Sequence, residues 1–412
     1  MTERAVIKFG GADLANGRRI KEAAEKVVRS GFDEIIVVVS AMGTTTDKLV
    51  ELSDQMDVCE KDYAEIVSMG ERTSARVFSS ALKDLGERSR YLVPSQEDWP
   101  IFTDNRYTAA EPDLEQSRGA FEKNVVPSLS EDIPVICGFL GKDTEGNTTT
   151  LGRGGSDTTA LVAGNCIGAD EVILVKETEG LLTGDPDLIE GSRFVSEIHI
   201  EELFALAHGG AEIVRYQGLR YKLPGQVLRI VPFSSDDLSE GGTEVCGEFS
   251  SCNILNEQND LSAVTVICDL NPYNLNSIFA VLNQRGDVEV SGISSGEKSI
   301  TIFGGFDGED IVRYLHRNLD SFKAITHRED VCLLEVTHPR FVDHPGWVAR
   351  ITKMLSSRDI NIIEVTTSKA TINIYLDDVY MKDAISIIEQ MFVKGSKGMT
   401  FKKEEKGDLV EI

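Results

Sequence analysis

Residues 136–163 read ICGFLGKDTEGNTTTLGRGGSDTTALVA, and the rest of the first half of the chain is arranged around this stretch. A strand-like run precedes a turn at 143–147, and a returning strand then ends in a glycine-rich break at 152–157. Beyond the break the apolar residues recur at helical spacing, and either Ser156 or Asp157 can cap the new helix. The pattern predicts a hairpin joined to a helix by a glycine-rich junction.

This glycine-rich junction has the features of an anion site. Backbone N–H groups at the start of a helix have no helical partner, and the helix dipole favours negative charge there. Arg153 adds a planar fork suited to carboxylate or phosphate, and Gly154 and Ser156 lie beside it. We interpret the junction as an anion-binding site; the alternative is a tight structural turn.

A second candidate site for phosphate lies near the start of the chain. Residues 5–9 are strand-like, Gly10 and Gly11 follow, and residues 16–29 have helical spacing. Lys8, near the strand end, would bring an ammonium group to the bare N–H groups of the glycine turn. The alternative is a solvated charge at a strand end.

Strands and helices alternate over residues 1–250, which predicts an α/β domain with a mainly parallel sheet sandwiched by helices. The second apolar strand ends in Ser40, and ligands in such sheets gather at the carboxyl ends of strands. Glu71 follows a glycine within a long helix predicted at 63–85. Residues 176–189 are expected to form a loop.

Beyond about residue 260 the spacing changes to βαββα, repeated over 260–330 and 331–412. This repeat is typical of two ferredoxin-like domains. Such sheets pair edge to edge or bind small molecules, so we expect either a dimer contact or an effector site here.

The amino-acid composition argues against some classes of binding partner. The formal net charge of −26 over 412 residues argues against nucleic acid and anionic membranes. The seven cysteines lack the spacing of a zinc site or a disulfide frame, and no apolar stretch is long enough to span a membrane. With no signal peptide ahead of residues 5–9, we expect a cytoplasmic protein without a metal site of its own.

Five motifs in order carry a resemblance to a known family. They are KFGG at 8–11, VSAMG at 39–43, GE at 70–71, LGRGGSD at 151–157 and TGDP at 183–186. With its repeated tail, the sequence resembles the aspartate kinases, which have an amino acid kinase fold followed by two ACT domains of ferredoxin-like βαββαβ topology. The resemblance covers nearly the whole chain, and the LGRGGSD run and the tail are its most specific parts. It also implies that the end of the chain returns to the first ACT domain as a strand, for which residues 399–403 are the candidate.

The resemblance implies ATP-dependent phosphorylation of the side-chain carboxylate of L-aspartate to 4-phospho-L-aspartate, the first step towards lysine, threonine and methionine. It implies that Lys8 contacts the transferred phosphate and that Asp157 orients Lys8, so both are catalytic. The residues implied to hold the amino acid are Ser40, Glu71, Arg153, Gly154 and Ser156. Those implied to hold ATP are Lys8, Gly10, Gly11, Lys176, Glu177, Leu182 and Asp185.

The same resemblance implies Mg²⁺ held mainly by phosphates and water, because the sequence has no obvious carboxylate cage. It also implies a homodimer or larger homo-oligomer, with an amino-acid effector bound at the ACT domains.

The sequence departs from the family pattern around the nucleotide. Ala12 and Asp13 stand where the family usually has Thr-Ser, so a hydroxyl contact is lost and a negative charge is added. Lys176 and Glu177 replace Thr-Asp, and Asp187 replaces an arginine expected near phosphate. Two alternatives stay open: another small-carboxylate kinase on the same fold, or a non-catalytic relative that senses amino acids.

Overall fold

The computed structural model describes residues 2–152, 154–186, 188–211, 213–248, 254–338, 341, 345–368 and 370–395. Arg153, Asp187 and the strand predicted at 399–403 lie outside these described residues. The chain forms two compact units, Met1–Phe249 and Ser250–Ile412. Among the described residues, none of the helices combines the length and the apolar character that crossing a lipid bilayer requires.

The first unit alternates strands with helices. Its strands are β1 (Arg4–Phe9), β2 (Glu34–Val39), β3 (Ser89–Leu92), β4 (Ile133–Cys137), β5 (Leu140–Lys142), β6 (Thr148–Thr150), β7 (Glu171–Lys176), β8 (Leu181–Leu182), β9 (Phe194–Val195), β10 (Glu197–His199), β11 (Val227–Pro232) and β12 (Thr243–Cys246). Its helices are α1 (Gly17–Arg29), α2 (Thr45–Asp54), α3 (Glu60–Val67), α4 (Met69–Asp84), α5 (Leu114–Asn124), α6 (Gly155–Ile167), α7 (Ile200–His208) and α8 (Tyr216–Leu219).

An eight-stranded sheet, in the order β10-β12-β11-β7-β1-β2-β4-β3, forms the centre of this unit. The strands from β11 to β3 pair in parallel, and β12 runs antiparallel to β11. Every residue from Ala5 to Phe9 in β1 is buried, whichever face of the sheet it points to, so both faces are covered. The predicted α/β unit with a mainly parallel sheet is confirmed.

The helix predicted at 63–85 is wrong in one respect, because the chain forms two helices there instead of one. α3 and α4 meet at Ser68. Glu71 therefore lies in the first turn of α4, where its side chain is buried, and not in the middle of a long helix.

The hairpin and helix predicted in residues 136–163 are present as β5, β6 and α6, but the predicted cap is wrong. The N-cap of α6 is Gly154, whose φ of +67° lies in the left-handed region that glycine adopts without strain. Ser156 and Asp157 lie within the first turn of the helix and do not cap it.

The predicted loop at 176–189 also contains a short strand, β8, which pairs with β9.

The second unit consists of two βαββα repeats. Its strands are β13 (Ile254–Ile267), β14 (Val290–Gly296), β15 (Ser299–Gly304), β16 (Ala324–Thr337), β17 (Ile362–Ser368) and β18 (Thr371–Asp377). Its helices are α9 (Pro272–Arg285), α10 (Gly308–Asn318), α11 (Trp347–Ser356) and α12 (Met381–Gly395).

The two repeats share one antiparallel sheet, in the order β14-β15-β13-β16-β18-β17. β13 and β16 pair with each other from the Ile254↔Thr337 pair to the Ile267↔Ala324 pair, with shifts in register partway along. Each repeat has its own apolar cluster, one around α9 and α10 and the other around α11 and α12. The division between the repeats at residue 331 falls inside β16 and stays a prediction.

Candidate active site

The centre of the eight-stranded sheet places several predicted site residues at one edge. β1 has β2 on one side and β7 on the other, and Phe9 pairs with Val39 and Val175. Gly10 and Ser40 therefore follow adjacent strands, and Lys176 ends the third. After β1 the chain continues to β2 on one side, and after β7 it continues to β11 on the other side, so the order of strands changes direction between β1 and β7. Such switch points are the usual ligand sites of open α/β sheets.

A buried carboxylate joins two lysines at this edge. Asp157, in the first turn of α6, lies 2.7 Å from Lys8 Nζ through Oδ1 and 2.9 Å from Lys176 Nζ through Oδ2. The side chains of Lys8 and Asp157 are each only 6% exposed. A single carboxylate therefore holds two ammonium groups, one from each of two neighbouring strands, beside the glycine turn.

The two lysines determine the charge state of this carboxylate. Burial by itself would raise the pKa of Asp157, but the positive charges of Lys176 and Lys8 outweigh it and lower the pKa to about 2. Burial also lowers the pKa of Lys176, and the negative charge of Asp157 opposes that change. Asp157 is thus a fixed anion near neutral pH, suited to positioning cations and unsuited to accepting a proton.

The glycine turn after β1 requires close approach of two backbones. A Cβ atom on Gly11 would lie 2.8 Å from the Gly43 carbonyl oxygen and 2.9 Å from that of Ala41. The Gly43 N–H donates to the Gly11 carbonyl at 2.8 Å, so the turns after β1 and β2 are joined directly. The N–H of Gly10 donates to the Asp13 carboxylate at 2.7 Å.

Glu71 is held beside the turn that follows β2. Its Oε1 accepts hydrogen bonds from the Ala41 N–H at 3.3 Å and from the Thr46 hydroxyl at 3.1 Å. Its Oε2 is buried and has no hydrogen-bond partner among the described residues. Burial raises the pKa of Glu71 to about 7. The side chain is therefore a buried carboxyl group with one oxygen available to a cationic ligand.

The remaining predicted site residues are spread more widely. Ser156 is buried in the first turn of α6, next to Asp157. Glu177 follows β7, is half exposed and forms an ion pair with Arg19 of α1. Leu182 is in β8, and Asp185 lies exposed in the loop after it.

Comparison with known proteins adds to this geometry. A family model described as "Amino acid kinase family" matches residues 3–219, more than half of the chain. The chain belongs to the amino acid kinase family. The residues matched by the amino acid kinase model run from β1 to α8 and so include the whole cluster around Lys8 and Asp157.

Similar full-length proteins share both units of this amino acid kinase family member. Aspartokinases from Mycolicibacterium smegmatis and Geobacillus stearothermophilus are 26% and 28% identical, over 95% and 94% of this chain and 96% of each relative. The crystal structure of an aspartate kinase from Synechocystis matches with a TM-score of 0.74 at 23% identity, over 94% of this chain and 69% of the other. E. coli aspartokinase III in complex with aspartate and ADP matches with a TM-score of 0.55 at 19% identity, over 94% and 99%. The predicted resemblance and fold class are confirmed.

Three residues that contribute to the site were not among its predicted members. Thr46 holds Glu71, Arg19 pairs with Glu177, and Asp13 binds Gly10 N–H. The sequence signalled only Asp13, as a departure from the family pattern. No sequence motif near Arg19 indicates a role in the site, because Glu177, which it contacts, lies far along the chain.

Proposed function

We propose that this protein transfers the γ-phosphate of ATP to the side-chain carboxylate of L-aspartate, giving 4-phospho-L-aspartate and ADP. The observation that supports this most strongly is the Lys8–Asp157–Lys176 cluster beside the Gly10–Gly11 turn. Phosphoryl transfer depends chiefly on positioning and charge neutralisation, and this cluster offers two ammonium groups and backbone N–H donors at a switch point of the sheet. The aspartokinases similar over nearly the whole chain support aspartate as the acceptor.

The reaction needs no general base from the protein. The side chain of aspartate has an ordinary pKa of about 3.9, so it is already ionised near neutral pH and attacks directly. One carboxylate oxygen forms a bond to the γ-phosphorus, and the bond from that phosphorus to the β–γ bridging oxygen breaks. Lys8 neutralises charge on the transferred group, while Asp157 fixes the position of Lys8. The low pKa of Asp157 agrees with this positioning role.

The proposed amino-acid subsite contains Ser40, Glu71, Gly154 and Ser156, with Arg153 to bind the α-carboxylate. Glu71 supports this subsite because its buried Oε2 lacks a hydrogen-bond partner among the described residues. A substrate ammonium group there would favour the ionised carboxylate and lower the raised pKa of Glu71. Binding of the amino acid would thus convert a buried carboxyl group that is partly protonated at neutral pH into an ion pair.

Lys8, Gly10, Gly11, Lys176, Glu177, Leu182 and Asp185 make up the proposed nucleotide subsite. Among the described residues, no group of three or more His, Cys, Asp or Glu side chains is placed to hold a metal ion. Mg²⁺ usually binds through substrate phosphates, water and at most one or two carboxylates. We therefore assign the Mg²⁺ that accompanies ATP to the phosphates and water, where it offsets the charge of the phosphate chain.

For the second unit, we propose a homodimer or larger homo-oligomer and a bound amino-acid effector. The two repeats and their shared sheet support this proposal, because ferredoxin-like sheets commonly associate with a second sheet. The catalytic domain over 1–250 and the two ACT-like domains over 260–330 and 331–412 remain part of the proposal.

A hydroxylamine trap tests the activity. The protein is incubated with Mg-ATP and either L-aspartate, L-glutamate or no acceptor, and the acyl phosphate is measured as its hydroxamate. We expect hydroxamate only in the reaction that contains L-aspartate. Hydroxamate from a different acid would make that acid the acceptor in place of aspartate. No product together with tight amino-acid binding would favour a non-catalytic sensor.

A further inference from the structure

Asp13 lies where a bound phosphate is expected. Its side chain is in the turn between β1 and α1, is 1% exposed, and accepts the Gly10 N–H through Oδ2 at 2.7 Å. A Cβ atom built on Gly10 would be 3.1 Å from Asp13 Oδ2 and 3.7 Å from Lys8 Nζ. The carboxyl group and the ammonium group therefore border the same space over Gly10, and a phosphate bound to Lys8 would lie next to Asp13.

Charged groups from three other elements surround Asp13. Lys8 approaches from β1, and Arg19 Nη2 from α1 lies 3.9 Å from Asp13 Oδ1. Glu177, after β7, contributes a second carboxyl group, and Asp157 and Lys176 complete the cluster behind Lys8. The negative charge of Glu177 disfavours a second negative charge on Asp13.

The surroundings of Asp13 favour its protonated form. Burial and then Glu177 raise the pKa of Asp13 to about 7, although the Gly10 N–H and the charge of Lys8 act in the opposite direction. Its Oδ1 is buried and accepts no hydrogen bond from any donor among the described residues. A phosphate chain beside Lys8 would add negative charge close to Asp13 and favour the neutral acid further.

We propose that binding of a phosphate-bearing ligand over Gly10 and Lys8 takes up one proton, held on Asp13, whose carboxylic acid donates a hydrogen bond to the ligand. The proton comes from solvent, and it turns a carboxylate that would repel phosphate into a neutral donor. The inference rests on the proposed function for the choice of a nucleotide as ligand. It does not depend on turnover.

Calorimetry with the non-hydrolysable nucleotide Mg·AMP-PNP tests this proposal. Binding at pH 8 in buffers of different ionisation enthalpy gives the number of protons taken up, for the wild type, Asp13→Asn and Asp47→Asn. Asp47 lies in the first turn of α2 and is exposed, so it is a matched control for the loss of one carboxylate. Any proton taken up by the nucleotide itself is the same for all three proteins, so it cancels when their proton uptake is compared.

We expect the wild type and Asp47→Asn to take up nearly one more proton than Asp13→Asn. Between pH 7 and 8 the wild-type affinity should fall by about fivefold relative to Asp13→Asn, as one-proton linkage from a pKa of about 7 requires. If Asp13→Asn does not fold, the infrared difference spectrum of the wild type with and without ligand replaces it. A gain in the carboxylic acid C=O band at pH 8 is the expected result, and no gain would overturn the proposal.

Equal proton uptake by the wild type and Asp13→Asn, with tight binding by both, would overturn this inference and leave the proposed function intact. Proton release on binding, the sign expected if Asp13 bound the metal ion instead, would also overturn it. Proton uptake on Asp13 without any hydroxamate in the turnover assay would support the inference and overturn the proposed function. Absence of nucleotide binding by the wild type between pH 6 and 8 would overturn both.

Discussion

The two units of the chain use burial in opposite ways. The first unit buries charge, since Lys8 and Asp157 form an ion pair with side chains only 6% exposed. In the second unit, the Arg313–Glu309 pair of α10 lies at the surface, with side chains 62% and 58% exposed. The described interior of that unit is built from apolar clusters around its helices.

On the proposed function, this difference separates the residues expected to determine activity from those expected to determine stability. Removing two charges from water is expensive, and replacing a buried ion pair with apolar residues often leaves stability unchanged or improves it. The buried pair at Lys8 is therefore better explained by chemistry than by stability. The apolar clusters of the second unit are explained by packing alone.

The largest expected effect is on turnover in the first unit. Lys8→Met should lower kcat by roughly 10²–10³-fold, because it removes a cation from the transferred phosphate. The hydroxamate assay measures the rate, and circular dichroism checks the fold. Lys21→Met, at an exposed position of α1, is the control and should leave the rate unchanged. A near-wild-type rate for Lys8→Met would show that the buried Lys8–Asp157 pair is not needed for catalysis.

The next effect is on stability in the second unit. Leu334→Ala empties part of the apolar cluster around α11 and α12, where Leu334 is fully buried. It should lower the free energy of unfolding by about 2–5 kcal/mol, measured by urea titration. Leu52→Ala, at a half-exposed position of α2, should change that free energy by less than about 0.5 kcal/mol. A loss of kcat as large as that of Lys8→Met, in folded Leu334→Ala, would contradict the division of roles.

A pH titration sharpens the contrast further. Burial raises the pKa of Glu71 to about 7, so its native state prefers the protonated acid. The free energy of unfolding should therefore fall as pH rises from about 4.5 to 7 and stay low above that. Glu71→Gln cannot ionise and should gain on the order of 3 kcal/mol relative to wild type between pH 4.5 and 8. Exposed Glu51→Gln is the control, and parallel pH curves for Glu71→Gln and wild type would contradict this expectation.

The smallest effect is expected at the surface of the second unit. Arg313→Gln removes the exposed ion pair with Glu309 along α10 and should lower the free energy of unfolding by only about 0.2–0.5 kcal/mol. The difference should shrink further in high salt, because exposed charges are screened. Urea titrations at low and high salt measure it, and a loss above about 1 kcal/mol would show that the pair is structurally important.

The sequence was sufficient to predict the parts of the site that depend on local pattern. A strand, a glycine turn and a helix located Lys8, and the glycine-rich junction located Asp157 near the start of α6, although as a cap and not in the first turn, where the structure has it. The predicted strand over 5–9 and the predicted helix over 16–29 correspond to β1 and α1, because their apolar periodicity and flanking breaks are clear. Periodicity could not detect the break between α3 and α4, because the junction from Val67 to Met69 contains neither proline nor glycine.

The contacts within the site depend on packing between distant parts of the chain. Asp13 and Glu177 meet only because β1 and β7 are neighbours in the sheet, although a long stretch of sequence separates them. Lys176 was predicted to bind ATP, and its ion pair with Asp157 follows from the same neighbourhood. Turn and helix signals describe single elements, so they could not reveal which charges the assembled sheet brings together.

The strands β13 and β16 run through both halves of the second unit's sheet. Separating the repeats ahead of β16 would part β13 from β16 and leave a row of backbone N–H and C=O groups without partners. Removing either repeat is therefore expected to expose an edge of the strand that remains. A substitution within β13 or β16 is expected to affect both repeats, because each of these strands pairs along its length with a strand of the other repeat.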